Sequence, residues 1–296
     1  SIKPLLLYLK TYGVNFTIEK VLEKSTENDW LALNKLDGQL DDLQLHVLRK
    51  DFLSAVMPRN QFKTKESIGI GLSAIVIFDK EHAIHYLSKI DTKASLFTND
   101  ARLFYQLGEC EYKFGKYDKA LEYYEKCLAI ELKTLGGEHP DVAISYNNIG
   151  LTWNIKGEYD KALEYFEKCL TIKLKTLGGE HPSVARSYNN IGVTWNRKGD
   201  YDKALEYYEK SLAIDLKSLG GEHPSVARSY NNFGLTWKNK GEYDKALEYF
   251  ILSAQIRFKK LGASDDETKA VIKNAKNVAK KLDKEGELPV WMMQIN

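Results

Sequence analysis

The 296-residue chain has little of what disulfide-bonded, membrane-spanning or nucleic-acid-binding proteins need. Its three cysteines are an odd number without a CxxC pair, which argues against a disulfide framework and a zinc site. Forty-three basic and 41 acidic residues leave a formal net charge of +2, too small to attract a polyanion. The apolar runs at 5–9 and 74–78 are far shorter than the roughly 20 residues of a membrane helix.

The composition indicates a globular protein of the reducing cytoplasm. It is 43% hydrophobic and 28% charged, with only six prolines, which excludes collagenous and low-complexity chains. The start, SIKPLLLYLK, has too short an apolar core for a signal peptide and no small-residue cleavage site after it. We therefore expect cytoplasmic localisation, with neither a membrane nor a nucleic-acid partner.

Four copies of one repeat dominate the sequence. Segments 141–182 and 183–224 align without a gap and share 32 of 42 residues. A further copy begins at Ser225, and an earlier one begins near Asp100. Periods of 20 to 50 residues are typical of solenoids, in which each unit is too small to bury its own apolar face. The repeat therefore predicts an open stack of units.

Each unit contains two amphipathic helices. Tyr146, Gly150 and Trp153 lie at helical spacing on one face, and Ala162 and Phe166 do so in the second half of the unit. The two halves are short and closely joined, which predicts an antiparallel helical hairpin.

Glycine, aspartate and proline mark the ends of these helices. We expect Gly157 to end the first helix of its unit and Asp160 to cap the second. The LGGEHP segment closes each unit, and its proline, such as Pro182, suits the first position of the next helix.

The repeat resembles a known family. Its spaced signature consists of Tyr146, Gly150, Trp153, Tyr159, Ala162 and Phe166. This pattern resembles the tetratricopeptide repeat, and the 42-residue period with YNNIG and LGGEHP is similar to the long repeats of kinesin light chain. The resemblance implies an all-α, right-handed superhelical solenoid of antiparallel helix pairs. Unit one departs from it, with Glu111 where the other units have Trp.

The organisation that follows has four segments. We expect an N-terminal helical region at 1–60, a degenerate helical hairpin at 61–97, four repeat units within 98–262, and a capping helix with a tail at 263–296. The four units have the boundaries 98–140, 141–182, 183–224 and 225–262.

No motif in the chain predicts catalysis. Phosphate-loop, HExxH and GxSxG motifs are missing, and no base is recognisable beside a cysteine. Equivalent histidines of stacked units lie about 10 Å apart, whereas zinc ligands converge within about 2 Å of the ion. We therefore expect no enzyme, no cofactor and no metal. The side chains interpreted as structural are His139, His181, His223, Cys110, Cys127, Cys169, Trp153, Trp195 and Trp237.

Asparagines are the first candidate binding residues, because asparagine disfavours helix interiors and its placement there needs a reason. The family resemblance implies that the second asparagine of each YNN hydrogen-bonds the backbone of an extended peptide in a concave groove. The alternative is that these amides hydrogen-bond neighbouring helices. The candidate peptide-binding asparagines are Asn147, Asn148, Asn189, Asn190, Asn231, Asn232, Asn154 and Asn196.

Positions where the near-identical copies differ supply the second candidate set. Ile144 of one copy is replaced by Arg186 and Arg228 in the next two. Eleven residues later, Ile155 is replaced by Arg197 and Asn239 on nearly the same helix face. We expect Arg186, Arg197 and Arg228 to make the groove basic and to favour an acidic partner segment, the alternative being a solvated charged face.

These observations favour a protein-interaction scaffold without catalysis, which binds a peptide or partner segment of acidic character in the concave groove. The alternative is a regulatory or sensor module of a larger multidomain effector, such as a protease or an immune-type switch protein, whose catalytic domain lies outside this chain.

Overall fold

The computed structural model describes residues 101–295, apart from the side chains of Arg102 and Leu103. The regions expected at 1–60 and 61–97 lie outside the described residues. Within 101–295 every regular element is a helix, so the fold is all-α as predicted. The chain divides into two compact regions, one that ends at Cys127 and another that begins at Leu128.

The helices alternate as first and second members of successive pairs. In chain order they are α1 (Ala101–Lys113), α2 (Tyr117–Thr134), α3 (Pro140–Ile155), α4 (Tyr159–Leu177), α5 (Pro182–Lys198), α6 (Tyr201–Leu219), α7 (Pro224–Lys240), α8 (Tyr243–Leu261), α9 (Asp266–Leu282), a 3-10 helix (Glu285–Glu287) and α10 (Val290–Met293). From α3 onward each first helix packs on its own second helix, and α5 and α7 also pack on the second helix of the preceding pair, which makes a solenoid. None of the helices in 101–295 has the length and apolar character required to cross a membrane.

Histidines cap the first helices α3, α5 and α7. In α3, the Nδ1 atom of His139 accepts a hydrogen bond from the backbone N–H of Asp141 (3.2 Å). His181 caps α5 and His223 caps α7 in the same way. Proline follows each histidine as the first helical residue, as predicted. The recurrence of HP in the repeat is thus explained by capping, a role that the sequence did not reveal.

The expected cap of α4 was wrong. This helix begins at Tyr159, its N-cap is Glu158 without a side-chain hydrogen bond, and Asp160 lies in the first turn. Side-chain capping by an aspartate occurs one unit later, where Asp200 accepts from the backbone N–H of Lys203 (3.2 Å). At the end of α3 the C-cap is Lys156, and Gly157 follows it with a φ of 82°.

A glycine against an aromatic ring sets the closeness of each helix pair. A Cβ atom at Gly192 would lie 2.7 Å from the Tyr208 ring and 3.2 Å from the carbonyl oxygen of Ala204. Gly150 has the same relation to Phe166, with 2.8 Å to the nearest ring atom. The side chain missing at these glycines is therefore what allows the ring to lie directly on the first helix.

Apolar contacts between neighbouring pairs build the core. Ile191 of α5 packs against Ala162 and Phe166 of α4, and Phe233 of α7 occupies the same place on α6. Trp195 packs against both clusters and therefore lies between neighbouring helix pairs. Such contacts join each unit only to its neighbours, as expected of a solenoid.

The C-terminal segment covers the last helix pair. Helix α9 begins after Asp265, whose side chain accepts from the backbone N–H of Thr268 (2.8 Å). Its buried face packs on α8, and the following residues Leu288 and Met292 are buried in the same cluster. The ring of Trp291 packs against that of Phe258 of α8, with centroids 4.5 Å apart and the two planes inclined by 30°.

We predict that Gly192→Ala lowers the free energy of unfolding by about 1 to 3 kcal/mol, because the new methyl group overlaps the Tyr208 ring. The change should destabilise although alanine is favoured over glycine in helices by about 1 kcal/mol. Urea denaturation followed by circular dichroism measures it. Gly179→Ala is the matched control, because no atom lies within 4 Å of the place its methyl group would take and its φ is not positive. Equal stability of both variants would contradict the packing argument.

One buried carboxyl group lies between α6 and α7. Asp215 is 2% exposed, and its Oδ2 atom accepts no hydrogen bond from the described residues. Burial raises its pKa, while Arg228 and His223 act in the opposite direction without reversing the shift. A carboxyl group with a raised folded-state pKa ionises more easily in the unfolded chain. Its contribution therefore reduces stability as pH rises from its ordinary pKa to the raised one.

We predict that Asp215→Asn raises the free energy of unfolding at pH 7 by about 1 kcal/mol, because a buried charge with an unpaired oxygen is removed. The difference between variant and parent should grow as pH rises through the window above the ordinary carboxyl pKa and then stay constant. Urea denaturation across a pH series measures it. Glu206→Gln, an exposed carboxylate on the same helix, is the control. A variant with lower stability than the parent at every pH would contradict the prediction.

Candidate functional site

The first helices α3, α5 and α7 share one accessible stripe, which we call the first-helix face. In α5 it consists of Arg186, Asn190, Val193 and Arg197, which are exposed or half-buried and lie at helical spacing. The equivalent residues are Ile144, Asn148, Leu151 and Ile155 in α3, and Arg228, Asn232, Leu235 and Asn239 in α7. The face therefore contains the two positions at which an isoleucine of α3 is replaced by a polar residue in α5 and α7, together with the second asparagine of each pair.

The paired asparagines form a ladder between neighbouring first helices. The Nδ2 atom of Asn190 donates to Oδ1 of Asn147 (3.0 Å), and Asn232 donates to Asn189 in the same way (2.8 Å). This is the hydrogen bonding between helices that the sequence left open as an alternative. It does not test the predicted contact with a peptide, which stays a prediction.

A second polar row follows near the ends of these helices. Asn154 donates to the hydroxyl of Thr194 (2.7 Å), and Asn196 donates to that of Thr236 (2.8 Å). Arg197 in turn donates to Oδ1 of Asn154 (3.0 Å). Asn154 is buried, and the hydrogen bonds to Thr194 and from Arg197 both join it to α5.

The asparagines of the ladder differ in what remains accessible. Asn148, Asn190 and Asn232 are half-buried on the first-helix face, whereas Asn189 is buried. Asn231 ends the ladder, and its buried Oδ1 atom accepts no hydrogen bond from the residues that the structure describes. A carboxamide carries two N–H donors and one acceptor oxygen. One inter-helix donation therefore leaves Asn190 and Asn232 further capacity on the accessible side.

The three candidate arginines lie in different surroundings. Arg186 and Arg197 are exposed, and Arg197 also holds the contact with Asn154. Arg228 is half-buried and close enough to Asp215 to lower the pKa of that carboxyl against the larger effect of burial. The positive charge of the face is therefore most accessible on α5.

Two isoleucines of α3 were not recognised as candidate site residues. Ile144 and Ile155 are 45% and 42% exposed on the first-helix face, at the places of Arg186 and Arg197. The signal was present in the alignment of the copies, because both are positions at which the repeats differ. The face is thus apolar on α3 and basic on α5.

The thiols and histidines are accounted for by packing and capping. Cys110, Cys127 and Cys169 form no disulfide bond with one another and are buried. Burial, with a smaller contribution from Glu111, raises the pKa of Cys110 to about 12, which disfavours the reactive thiolate. Among residues 101–295, no three His, Cys, Asp or Glu side chains are grouped as metal ligands.

Stacked helical hairpins with one accessible stripe of first-helix residues define the class of helical-repeat interaction proteins. A family model described as tetratricopeptide repeat matches residues 99–175, 154–217 and 196–257, more than half of the chain. The chain belongs to the tetratricopeptide repeat family. Its 42-residue repeats are of the kinesin-light-chain-like kind, as the sequence predicted.

Solved structures share this fold. BtubC (BKLC) from P. vanneervenii is 19% identical with a TM-score of 0.58, over 77% of this chain and 87% of that one. One structure of a putative kinesin light chain from Podosopora anserina, with nearly identical TPR-like repeats, is 26% identical with a TM-score of 0.55, over 64% and 90% of the two chains. A search of curated proteins gives no significant match. Tetratricopeptide repeats are protein-interaction modules, which places this chain among interaction scaffolds.

Proposed function

We propose that the first-helix face lines a groove that binds an extended or helical segment of a partner protein. The observation that carries the proposal is the accessible amide at one position of three successive first helices, Asn148, Asn190 and Asn232. After donating to the preceding helix, the amides of Asn190 and Asn232 retain a donor and an acceptor. This combination matches the N–H and C=O groups of a peptide backbone.

The side chains around these amides favour a segment of uneven character. Arg186 and Arg197 on α5 suit acidic residues of the partner, whereas Ile144 and Ile155 on α3 suit apolar ones. We therefore propose an acidic segment with an apolar neighbour. The chain itself would act without catalysis, in the cytoplasm, where its thiols stay reduced.

The competing function is a regulatory or sensor module within a larger effector. Groove binding is common to both functions, so binding measurements address the groove directly. A random library of displayed peptides of about 12 residues, selected on the full chain, supplies the probe without a known partner. Enrichment of sequences that combine acidic and apolar residues is expected, because Arg186 and Arg197 suit the former and the isoleucines of α3 suit the latter.

We predict that Asn190→Ala with Asn232→Ala weakens binding of the selected peptide by about tenfold or more at every salt concentration, because ligand backbone groups lose their partners. The matched control is Asn147→Ala with Asn189→Ala, which removes the same two inter-helix hydrogen bonds but keeps the accessible amides. Fluorescence anisotropy measures both affinities. Equal losses in the two double variants would assign the asparagines to the ladder alone.

We predict that Arg186→Ala weakens binding of the acidic peptide about five- to tenfold at low salt and less than about twofold at 1 M salt, because the Debye length falls from about 10 Å to about 3 Å between 0.1 M and 1 M. Arg228→Ala should have a smaller effect, since its charge already lies beside Asp215. The same anisotropy titration at several salt concentrations tests this. A loss for Arg186→Ala that does not change with salt would exclude the electrostatic role.

A further inference from the structure

The N-caps of α3, α5, α7 and α9 occupy one position of the repeat, and its residue type changes once. His139, His181 and His223 cap the first three of these helices. The equivalent residue 42 positions after the last histidine is Asp265, which caps α9. Hydrogen bonds from Thr268 lower the pKa of Asp265, so this cap stays ionised in weak acid. Histidine, by contrast, changes its charge between pH 5 and 8. Three of these four caps are therefore sensitive to weak acid.

Each histidine cap requires the neutral form of the imidazole. In α5 the Nδ1 atom of His181 accepts a hydrogen bond from the backbone N–H of Ser183 (3.1 Å). His223 accepts from Ser225 in α7 at the same distance. An Nδ1 atom that carries a proton is a donor and no longer accepts this hydrogen bond. The imidazolium charge also opposes the positive end of the helix dipole. Protonation thus removes a stabilising contact and adds a repulsive one.

The cap of α3 has an acceptor for the added proton. The Oδ2 atom of Asp141 lies 3.6 Å from Nδ1 of His139, so a protonated His139 can pair with this carboxylate. In the next two copies of the repeat, Ser183 and Ser225 replace Asp141 and carry no charge. The first turn of α3 therefore compensates the protonation of its cap, whereas the first turns of α5 and α7 do not.

The preceding second helix places a cation beside the cap of α5. Lys173 of α4 donates from Nζ to the carbonyl oxygen of Ser183 (3.3 Å) and to the hydroxyl of Ser187 (2.9 Å). The ammonium group is thus held at the first turn of α5, where His181 would acquire its positive charge. Two like charges at one helix start repel each other, and a lysine offers no acceptor to the imidazolium.

Acidic residues occupy the place of Lys173 in the neighbouring repeats. Glu131 of α2 accepts from the hydroxyl of Ser145 in α3 (2.7 Å). Asp215 of α6 lies close enough to His223 for the histidine to lower the pKa of that carboxyl, against the larger effect of burial. A carboxylate attracts an imidazolium, so protonation is less unfavourable at the caps of α3 and α7 than at that of α5.

The other charges around the caps do not favour protonation at α5. Arg186 and Arg228 are equivalent residues of α5 and α7, so they do not distinguish these two caps. Lys260 of α8 lines the depression that contains His223, but it pairs with Glu222 (3.6 Å). The glutamate before each histidine pairs with a lysine of the second helix that follows, and these pairs are Glu138 with Lys175, Glu180 with Lys217 and Glu222 with Lys259.

We infer that His181 is the acid-sensitive cap of the described helices, and that its protonation loosens the start of α5 before the starts of α3 and α7. Of the three histidines, it is the one that combines a lysine on the preceding helix with a first turn without acidic residues. The cap stabilises α5 above the pH range in which histidine titrates, and this contribution is lost as pH falls through that range. Because α5 packs on both α4 and α6, the loosened junction lies inside the array.

Urea denaturation of the full chain at about pH 7.5 and about pH 5.5, followed by circular dichroism, tests this inference. The urea midpoint of the parent should fall on acidification. His181→Asn should reduce that fall by about 0.5 M, because the amide oxygen of asparagine caps a helix at both pH values. His139→Asn is the matched control, since it replaces the same cap in α3. It should change the fall in midpoint by less than half as much.

Exchanging the residue after the proline tests the electrostatic cause. Ser183→Asp gives α5 the acceptor that Asp141 supplies in α3, so it should also reduce the fall in midpoint. Hydrogen exchange of residues 181–187, relative to the intrinsic exchange rate at each pH, locates the effect. The parent should lose about tenfold of its protection in acid, and His181→Asn should lose little.

Equal acid dependence of the parent and His181→Asn overturns the inference. So does an effect of His139→Asn as large as that of His181→Asn, or a Ser183→Asp variant that is as acid-sensitive as the parent. None of these results bears on peptide binding by the first-helix face, because stability and exchange are measured without a ligand.

Discussion

The contact between a glycine and an aromatic ring within each helix pair is the constraint on which the rest of the structure depends. At Gly150 and Gly192 a single methyl group would overlap the ring of Phe166 or Tyr208. The ring can lie on the first helix only because that side chain is missing, and this fixes the separation of the two helices. The residues of the first helix that turn away from this contact then form its accessible stripe.

Contacts between pairs add stability by burial rather than by charge. Ile191 packs into the cluster of Ala162 and Phe166, while Trp195 fills the space between two such clusters. Ion pairs such as Lys198 with Asp160 also cross between units, but they are exposed and surface pairs contribute at most about 1 kcal/mol each. The polar contacts between pairs differ from one repeat to the next. Lys173 donates to Ser187 (2.9 Å), whereas Asp215, at the equivalent position of the next repeat, leaves an oxygen unpaired. Near-identical units are therefore joined by interfaces of unequal quality.

The sequence was sufficient for the helices and insufficient for the direction of individual side chains. Apolar spacing, together with Gly and Pro at the turns, predicted each helix pair because burial depends on periodicity over many residues. Capping depends on a single residue and its backbone geometry, so the helix began one residue before Asp160, and His181 was not recognised as a cap. Likewise Arg186 and Arg228 are equivalent in sequence, but Asp215 on the preceding helix gives them different surroundings. That difference requires the packed structure.

The tandem asparagines follow from the requirement that each inner unit binds two neighbours. Asn147 accepts from the following helix, while Asn190 donates to the preceding one. One helical position cannot face both neighbours, but consecutive positions are about 100° apart and can. A pair of adjacent amides is thus the shortest element that continues a ladder in both directions. It also leaves the donating member at the edge of the accessible face, where its unused N–H and oxygen are available to a ligand. The same residues can therefore join the units and offer the repeated amides that the proposed groove requires.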